Sequence, residues 1–400
     1  MKSRKWVLVL LIAAVVFGAN ATFAQHLNGG RGLPYVRAAW VNEPGYLTMY
    51  SHTRFFGKVG KIQAGQGITS AVTFWDVQGT LYFTYGISRH IEASFSPIMY
   101  QDTNKRAPGY NIPDDIFLSV KFGSFGSQGS SISYGIAANT RIPTAKDHNI
   151  VFEPYSAGTW EWGFTGLLSY TLDPLYPEDA FNFHVNLNYN NHNDVGKKLS
   201  LAPDDVDTIR VIDPTQTLSY GFGLRYPTDK FDYWLQVFGT KFLRKPPVTA
   251  YSREDFAYVS PGVTYKPYRW LAFDASVDLR ISPDKDETLY GFMGVRKIPD
   301  MPNYASWRVN IGMHVILLPT RVYKVSERDI LMQKAEERRK LFEKVIREQR
   351  EAESAEKELE RIKAERRKAE RELERLRNIL EQEAKKKQEK KQQEPKPDNQ

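Results

Sequence analysis

Apolar and polar residues alternate without a break across residues 181–190. Phe181, Phe183, Val185, Leu187 and Tyr189 hold the odd positions, and Asn182, His184, Asn186, Asn188 and Asn190 hold the even ones. Successive side chains of a β-strand point to opposite faces, so this segment has one apolar face and one polar face. A 3.6-residue period would mix the two sets, which excludes a helix. Ten residues at about 3.3 Å each span roughly 33 Å, which crosses the apolar layer of a bilayer when tilted by about 45°.

The same pattern recurs along the chain. After the first extended segment at 46–56 it predicts strands at 79–88, 90–100, 114–123, 131–142, 158–171, 181–191, 217–226, 231–242, 256–265, 269–281 and 288–297. The apolar patch at 71–75 reads as a strand extension or part of a loop. The connections alternate in length: 101–113, 143–157, 192–216 and 243–255 are long, whereas 124–130, 172–180, 227–230 and 266–268 are short. Outer-membrane barrels have short periplasmic turns and long outer loops. The predicted fold is therefore all-β: an antiparallel transmembrane up-and-down β-barrel over 46–325, preceded by an irregular lead-in at 25–45. Twelve strands would put both barrel ends on the periplasmic side. Residues 306–316 alternate too, and a thirteenth strand conflicts with the even strand numbers of single-chain bacterial barrels. Either this segment closes the ring and an N-terminal segment is miscounted, or it lies outside the ring, which leaves ten and fourteen strands as alternatives to twelve.

Parity divides the residues between the two faces. On 269–281, Phe273, Ala275, Val277, Leu279 and Ile281 face lipid, which turns Asp274, Asp278 and Arg280 inward. The same rule assigns Glu92, Lys121, Arg141, Glu161, His184, Asn186, Asn188 and Arg225 to the lumen. A charge on the lipid face near the midplane costs about 2–4 kcal/mol, which supports this division. The interior then carries both signs, as suits either a polar passage or a barrel closed by internal ion pairs. Tyr82, Tyr85, Tyr100, Trp160, Trp162, Tyr170, Tyr226, Tyr265 and Trp270 lie toward strand ends, where interfacial aromatic girdles are expected.

The start of the chain reads as a secretory signal. Lys2, Arg4 and Lys5 precede a short apolar stretch, and Thr22-Phe23-Ala24 offers a small-residue cleavage site, giving a signal peptide over 1–24. The net charge of +8 needs dividing before it means anything. Residues 326–400 carry 23 of the 55 Lys/Arg and 20 of the 47 Asp/Glu, and the signal takes three more Lys/Arg. Residues 25–325 keep 29 against 27, so no nucleic-acid surface is indicated. The chain has no Cys, which excludes disulfides and thiolate chemistry.

Tyr85-Gly86-Ile87-Ser88-Arg89-His90-Ile91-Glu92 resembles a turn-and-strand block of a broad family of bacterial outer-membrane barrels. Asp115-x-x-Leu118-x-x-Lys121-Phe122, Arg141-Ile142-Pro143-Thr144 and the Asn-bearing strand at 181–190 follow in that family's order. The resemblance covers roughly 79–191 and is to transporter barrels of the phenol-degradation-pathway type. It implies passive passage of small molecules. The chain departs from the family in lacking a terminal aromatic, because a long tail follows.

From Ser326 onward Glu, Lys, Arg, Ala and Leu dominate. One heptad register holds, with a positions Leu331, Arg338, Val345, Ala352, Leu359, Arg366, Leu373 and Leu380. The d positions are Lys334, Leu341, Glu348, Ala355, Ile362, Ala369, Leu376 and Glu383. Eleven of these 16 are apolar, which predicts a coiled coil over 326–384 with a single solvated helix as the alternative. Residues 385–400 are expected to be disordered. The expected partners are outer-membrane lipid through the barrel and, through 326–384, peptidoglycan, a periplasmic protein or a second copy of the chain.

Seven His are scattered, with no metal-binding helix, nucleophile elbow or phosphate loop, so neither a metal nor a cofactor is expected. A solute channel is the leading expectation. The alternatives are a closed barrel that anchors a periplasmic coiled coil and, more remotely, a barrel-borne hydrolase using His184.

Overall fold

The computed structural model describes residues 31–63, 69–103, 114–126, 130–149, 153–199, 208–289, 304–320 and 327–392. Twelve antiparallel strands follow one another around a ring: β1 (Leu47–Gln63), β2 (Thr69–Gly86), β3 (Ile91–Thr103), β4 (Ile116–Phe125), β5 (Ile132–Ile142), β6 (Glu161–Thr171), β7 (Asn182–Asn191), β8 (Gln216–Pro227), β9 (Phe231–Arg244), β10 (Phe256–Tyr268), β11 (Leu271–Arg280) and β12 (Trp307–Leu318). The ring closes where β1 pairs with β12, from Leu47 opposite Leu318 to Phe55 opposite Val309. Closure leaves no strand edge unpaired, which a barrel in hydrocarbon requires.

The segment at 306–316 is thus the closing strand. Of the strand expected at 288–297, Thr288 and Leu289 lie in a loop and bond Ala250 and Val248, and residues 290–297 lie outside the described residues. Residues 306–316 alternate strictly up to Val315, whereas 288–297 carry apolar residues at both parities, and pairing with β1 and β11 places the former in the ring. β1 and β2 run further than expected, pairing up to Gln63 opposite Thr69, so the patch at 71–75 belongs to β2.

β7 shows how the pattern becomes packing. Val185 and Leu187 are 36% and 53% exposed, whereas Asn182, His184 and Asn186 are buried. The same division holds on β4, where Leu118, Val120 and Phe122 face out, and on β11, where Phe273, Val277 and Leu279 do. Exposed apolar side chains therefore band the ring, far beyond the scattered apolar surface of a water-soluble monomer. Aromatic residues crowd both rims. Tyr226, Tyr233, Tyr265 and Tyr268 are exposed near the short turns, and Trp160 is exposed near the long loops. Tyr82 departs from the girdle expectation. It is buried inside with Tyr50, Tyr258 and Phe238, because its β2 register turns it inward.

The tail forms one helix, α1 (Glu327–Gln392), which runs eight residues beyond the expected start of disorder. Lys, Gln and Glu are good helix formers, and extending a helix costs less than nucleating one. Pairs one turn apart, such as Arg339–Glu343 at 3.0 Å and Arg366–Glu370 at 2.9 Å, line its surface. Among the seam residues, Leu341, Val345, Leu359, Ile362 and Leu373 are exposed on the single chain. The side chains of Leu376 and Leu380 lie outside the described residues.

Two outcomes follow. The folded chain should migrate faster in a gel unboiled than boiled, and identical mobilities would contradict a closed barrel. Leu187→Arg should lower unfolding stability in lipid vesicles by about 2–4 kcal/mol in a urea titration.

Candidate functional site

The polar interior is the site, and it is occupied by the chain itself. Residues 33–42 are all buried. They belong to a loop that enters the ring from the short-turn end. At its start Arg31 meets Glu178 of the turn between β6 and β7 at 3.0 Å, and at its end the Gly45 N–H donates to the Gly86 carbonyl. A Gly32–Arg37 bridge and a bond from the Leu33 N–H to the Val36 carbonyl fold its tip. The sequence pattern marked this stretch only as irregular.

The inward polar side chains hold the loop by its backbone. The Tyr35 N–H donates to Gln236 Oε1 at 2.8 Å, the Arg37 N–H to Asn186 Oδ1 at 2.6 Å and the Ala39 N–H to Ser169 Oγ at 2.7 Å. The Val41 N–H donates to Ser124 Oγ at 3.0 Å and the Asn42 N–H to Glu92 Oε2 at 2.7 Å. In return, Asn186 Nδ2 donates to the Arg37 carbonyl at 2.8 Å. Lys121 Nζ donates to the carbonyls of Ala38 and Trp40 at 3.1 and 2.7 Å and pairs with Glu92 at 2.7 Å. The Arg37 side chain reaches Ser119 Oγ and Asn139 Oδ1. The Tyr35 ring stacks on Phe238 at 4.0 Å, and its hydroxyl donates to Asp278 at 2.8 Å.

The other interior residues bond one another. Asp278 faces Arg308 at 3.2 Å, Asp274 faces His314 at 2.9 Å and Arg225 pairs with Asp232 at 2.6 Å. Asn188 links β6 to β8, accepting from the Thr165 hydroxyl and donating to Ser219 Oγ. Arg280 donates to the Tyr304 carbonyl and pairs with Asp284. Each lumen residue named from parity in the sequence thus meets a protein partner, whereas the buried hydroxyls of Thr80, Thr240 and Ser260 bond none. Sequence reasoning missed Arg37, Arg54, Asp76 and Arg308. Arg54 and Asp76 face each other at 3.5 Å, and their register on β1 and β2 carried the only signal.

His184 Nδ1 lies 2.8 Å from Ser169 Oγ, the pairing a hydrolase would need. Both residues are fully buried, however, and the serine oxygen already accepts the Ala39 N–H. A substrate could not reach it without removing the loop. The imidazole packs edge-on against Trp40, with 5.1 Å between ring centroids.

The opposite end is covered by the long loops. Tyr155, Leu199, Val211, Phe242 and Ala250 form one apolar cluster. Asn149 ties Leu199 to Tyr251, and Asp194 accepts from the Tyr155 hydroxyl and the Thr215 N–H. Beneath them Arg141 joins Asp115 at 2.5 Å and lies 3.8 Å from Glu161, and Glu161 is 3.2 Å from His192. Burial, then the charge of Asp115, pushes the Asp114 carboxyl up to about 6. Burial, then Asp114, raises Glu153 as well. Burial works against Asp115, but Arg141 and then His148 hold it below its ordinary value.

Together these features define a closed antiparallel barrel with an apolar exterior, a loop filling one end of its polar interior and a cap of loops over the other. No family model and no curated protein matches the sequence. Solved structures with similarity include an outer-membrane channel from Pseudomonas putida F1, at 9% identity and a TM-score of 0.42, covering 70% of this chain and 98% of that one. The NanC porin is similar at 12% identity and a TM-score of 0.40, covering 67% of this chain and 98% of that one. The translocator domain of the autotransporter NalP from Neisseria meningitidis follows at 12% and 0.34, covering 68% and 89%.

Two outcomes check the site. Asp114 keeps its proton in the folded cap at a pH where the unfolded chain has lost it. Its contribution is therefore full below about pH 4 and lost as the pH rises through about 6. Asp114→Asn should gain on the order of 2 kcal/mol at pH 8, with the gain vanishing near pH 4, as read by thermal melts across pH. Lys121→Met should cost about 3–5 kcal/mol in a urea titration by leaving Glu92 buried and unpaired, and adding Glu92→Gln should restore part of it.

Proposed function

We propose that this chain is an outer-membrane channel that passes small solutes by diffusion through the barrel interior when the ends are open. The observation that carries this reading is the division of faces. An apolar band surrounds a ring whose inward side chains are polar and of both charge signs, as a water-bearing passage through lipid requires. The signal-like residues 1–24 support an envelope location, and the short-turn rim, where β1 begins and β12 ends, would be periplasmic.

A second reading is favoured by the filled interior. Buried ion pairs and the inserted loop suit a permanently closed barrel that anchors the helical tail in the periplasm. Exposed apolar side chains along one heptad register of α1 support self-association there, with peptidoglycan or a periplasmic protein as the other candidate partners.

Purified protein in planar bilayers should show discrete conductance steps, with uptake of small polar solutes into liposomes. Silence in both assays from the full chain and from a folded chain lacking residues 31–42 would exclude the channel reading. Deleting 326–400 separates the second reading: it should weaken the envelope while the barrel stays folded, and an unchanged envelope would exclude an anchoring role.

A further inference from the structure

The bonds between the barrel wall and the lead-in have a pattern of their own. Four consecutive odd-numbered N–H groups, those of Tyr35, Arg37, Ala39 and Val41, each meet a side-chain oxygen of the wall. The acceptors come from β9, β7, β6 and β4 in turn, so the segment crosses the interior strand by strand. The carbonyls are read too: Asn186 takes that of Arg37, Lys121 those of Ala38 and Trp40, and the Ser124 N–H that of Ala39. Asn186 both accepts from and donates to the backbone of one residue, as a paired strand does.

The wall is also cut to let a main chain approach. A Cβ placed on Gly123 would sit 2.2 Å from the Ala39 carbonyl oxygen, and one on Gly86 of β2 would sit 2.6 Å from the Asn42 carbonyl oxygen. Both glycines occupy inward positions where a lumen residue would otherwise stand. Gly123 has no left-handed conformation to explain it, so its missing side chain serves the close approach. By contrast the side chains of Val36, Ala38 and Ala39 are small and make no polar contact. Most of the recognition falls on groups that every peptide possesses.

From this geometry we infer that the barrel interior is a backbone-reading peptide site, filled in cis by residues 31–42. When filled it closes the passage, and when vacated it takes a peptide of the same backbone shape in trans from the short-turn side. The effect on conductance rests on the channel reading, whereas the binding does not. The ligand class is a peptide read mainly through its main chain, with a turn at its start and a tyrosine and an arginine that also bond the wall, held by carboxamide, hydroxyl, carboxylate and ammonium groups in the place of a neighbouring strand.

The test removes the occupant and returns it. A chain lacking residues 31–42, folded as judged by heat-modifiable mobility, should conduct at least tenfold more than the full chain in planar bilayers. A synthetic peptide of residues 31–42 added at the short-turn side should block that current. The same peptide methylated on the backbone nitrogens of the Tyr35, Arg37 and Ala39 positions keeps every side chain but loses three donors, and it should fail to block. Labelled peptide should bind the shortened barrel, and the methylated form should bind at least tenfold more weakly. Equal block or binding by both peptides would overturn the inference. A shortened barrel that conducts but binds neither peptide would overturn it and leave the channel reading standing. A barrel that binds only the unmethylated peptide and never conducts would uphold the site and exclude the channel. Should the shortened chain fail to fold, Gly123→Ala in the full chain pushes the Ala39 carbonyl away. It should raise open probability and admit labelled peptide, and the absence of both effects would count against the inference.

Discussion

A strand that faces hydrocarbon can leave no backbone group unbonded and no charge on its outer side. From this constraint the rest of the molecule follows. Closure through β1 and β12 satisfies the strand edges. Every ionisable side chain carried by a spanning strand must then go inward, and there the cost of burial must be offset by close partners. Lys121 shows how. Taken out of water alone it would be costly, but it meets the Glu92 carboxylate and two backbone carbonyls within 3.1 Å. Glu92 in turn accepts the Asn42 N–H. The ion pair and the inserted loop are therefore mutually dependent: the loop supplies acceptors the wall lacks, and the wall supplies the loop with the partners that its own irregular backbone cannot provide.

How much of this is legible in the sequence depends on the range of the interaction. Parity is a property of neighbouring residues, so the facing of Val185, Leu187, Phe273 and Asp278 can be read directly. Loop alternation is nearly as local. Strand number is harder. Residues 306–316 alternate cleanly and 288–297 do not, yet a place in the ring is fixed only by pairing, here with β1, over 250 residues away in the chain. The lead-in is harder still. The Tyr35 N–H and its acceptor Gln236 are 201 residues apart, and an irregular stretch has no periodicity to reveal its burial. One trace existed: Gly221 and Gly223 on β8 stand at inward positions where polar side chains would be expected, and both lie under Val36. Inward glycines in a barrel strand mark a place where something else comes close.

The tail divides along the same line. Composition and heptad spacing specify a helix, because both act within a turn or two. Whether the exposed seam at Leu359 and Ile362 meets a second helix is a question about another chain, which no local pattern in this one decides.

The run of Asn on β7 brings these threads together. A polar interior alone would accept many residue types, yet the asparagines do different work at different depths. Asn182 donates to the Pro177 and Ala180 carbonyls and closes the turn below it. Asn186 brackets Arg37 of the lead-in. Asn188 bridges β6 and β8, and Asn190 donates to Glu161 under the loop cap. At Asn186 the requirement is strictest. Ser is too short to offer a donor and an acceptor side by side, Asp lacks the donor and Lys lacks the acceptor. Only a carboxamide can pair with the N–H and the carbonyl of one residue while staying uncharged in a low-dielectric interior. Gln236 uses the same chemistry from β9, with a longer arm to reach Tyr35. The amide side chains of the barrel wall thus stand in for the strand that the lead-in, alone in the middle of the ring, does not have beside it.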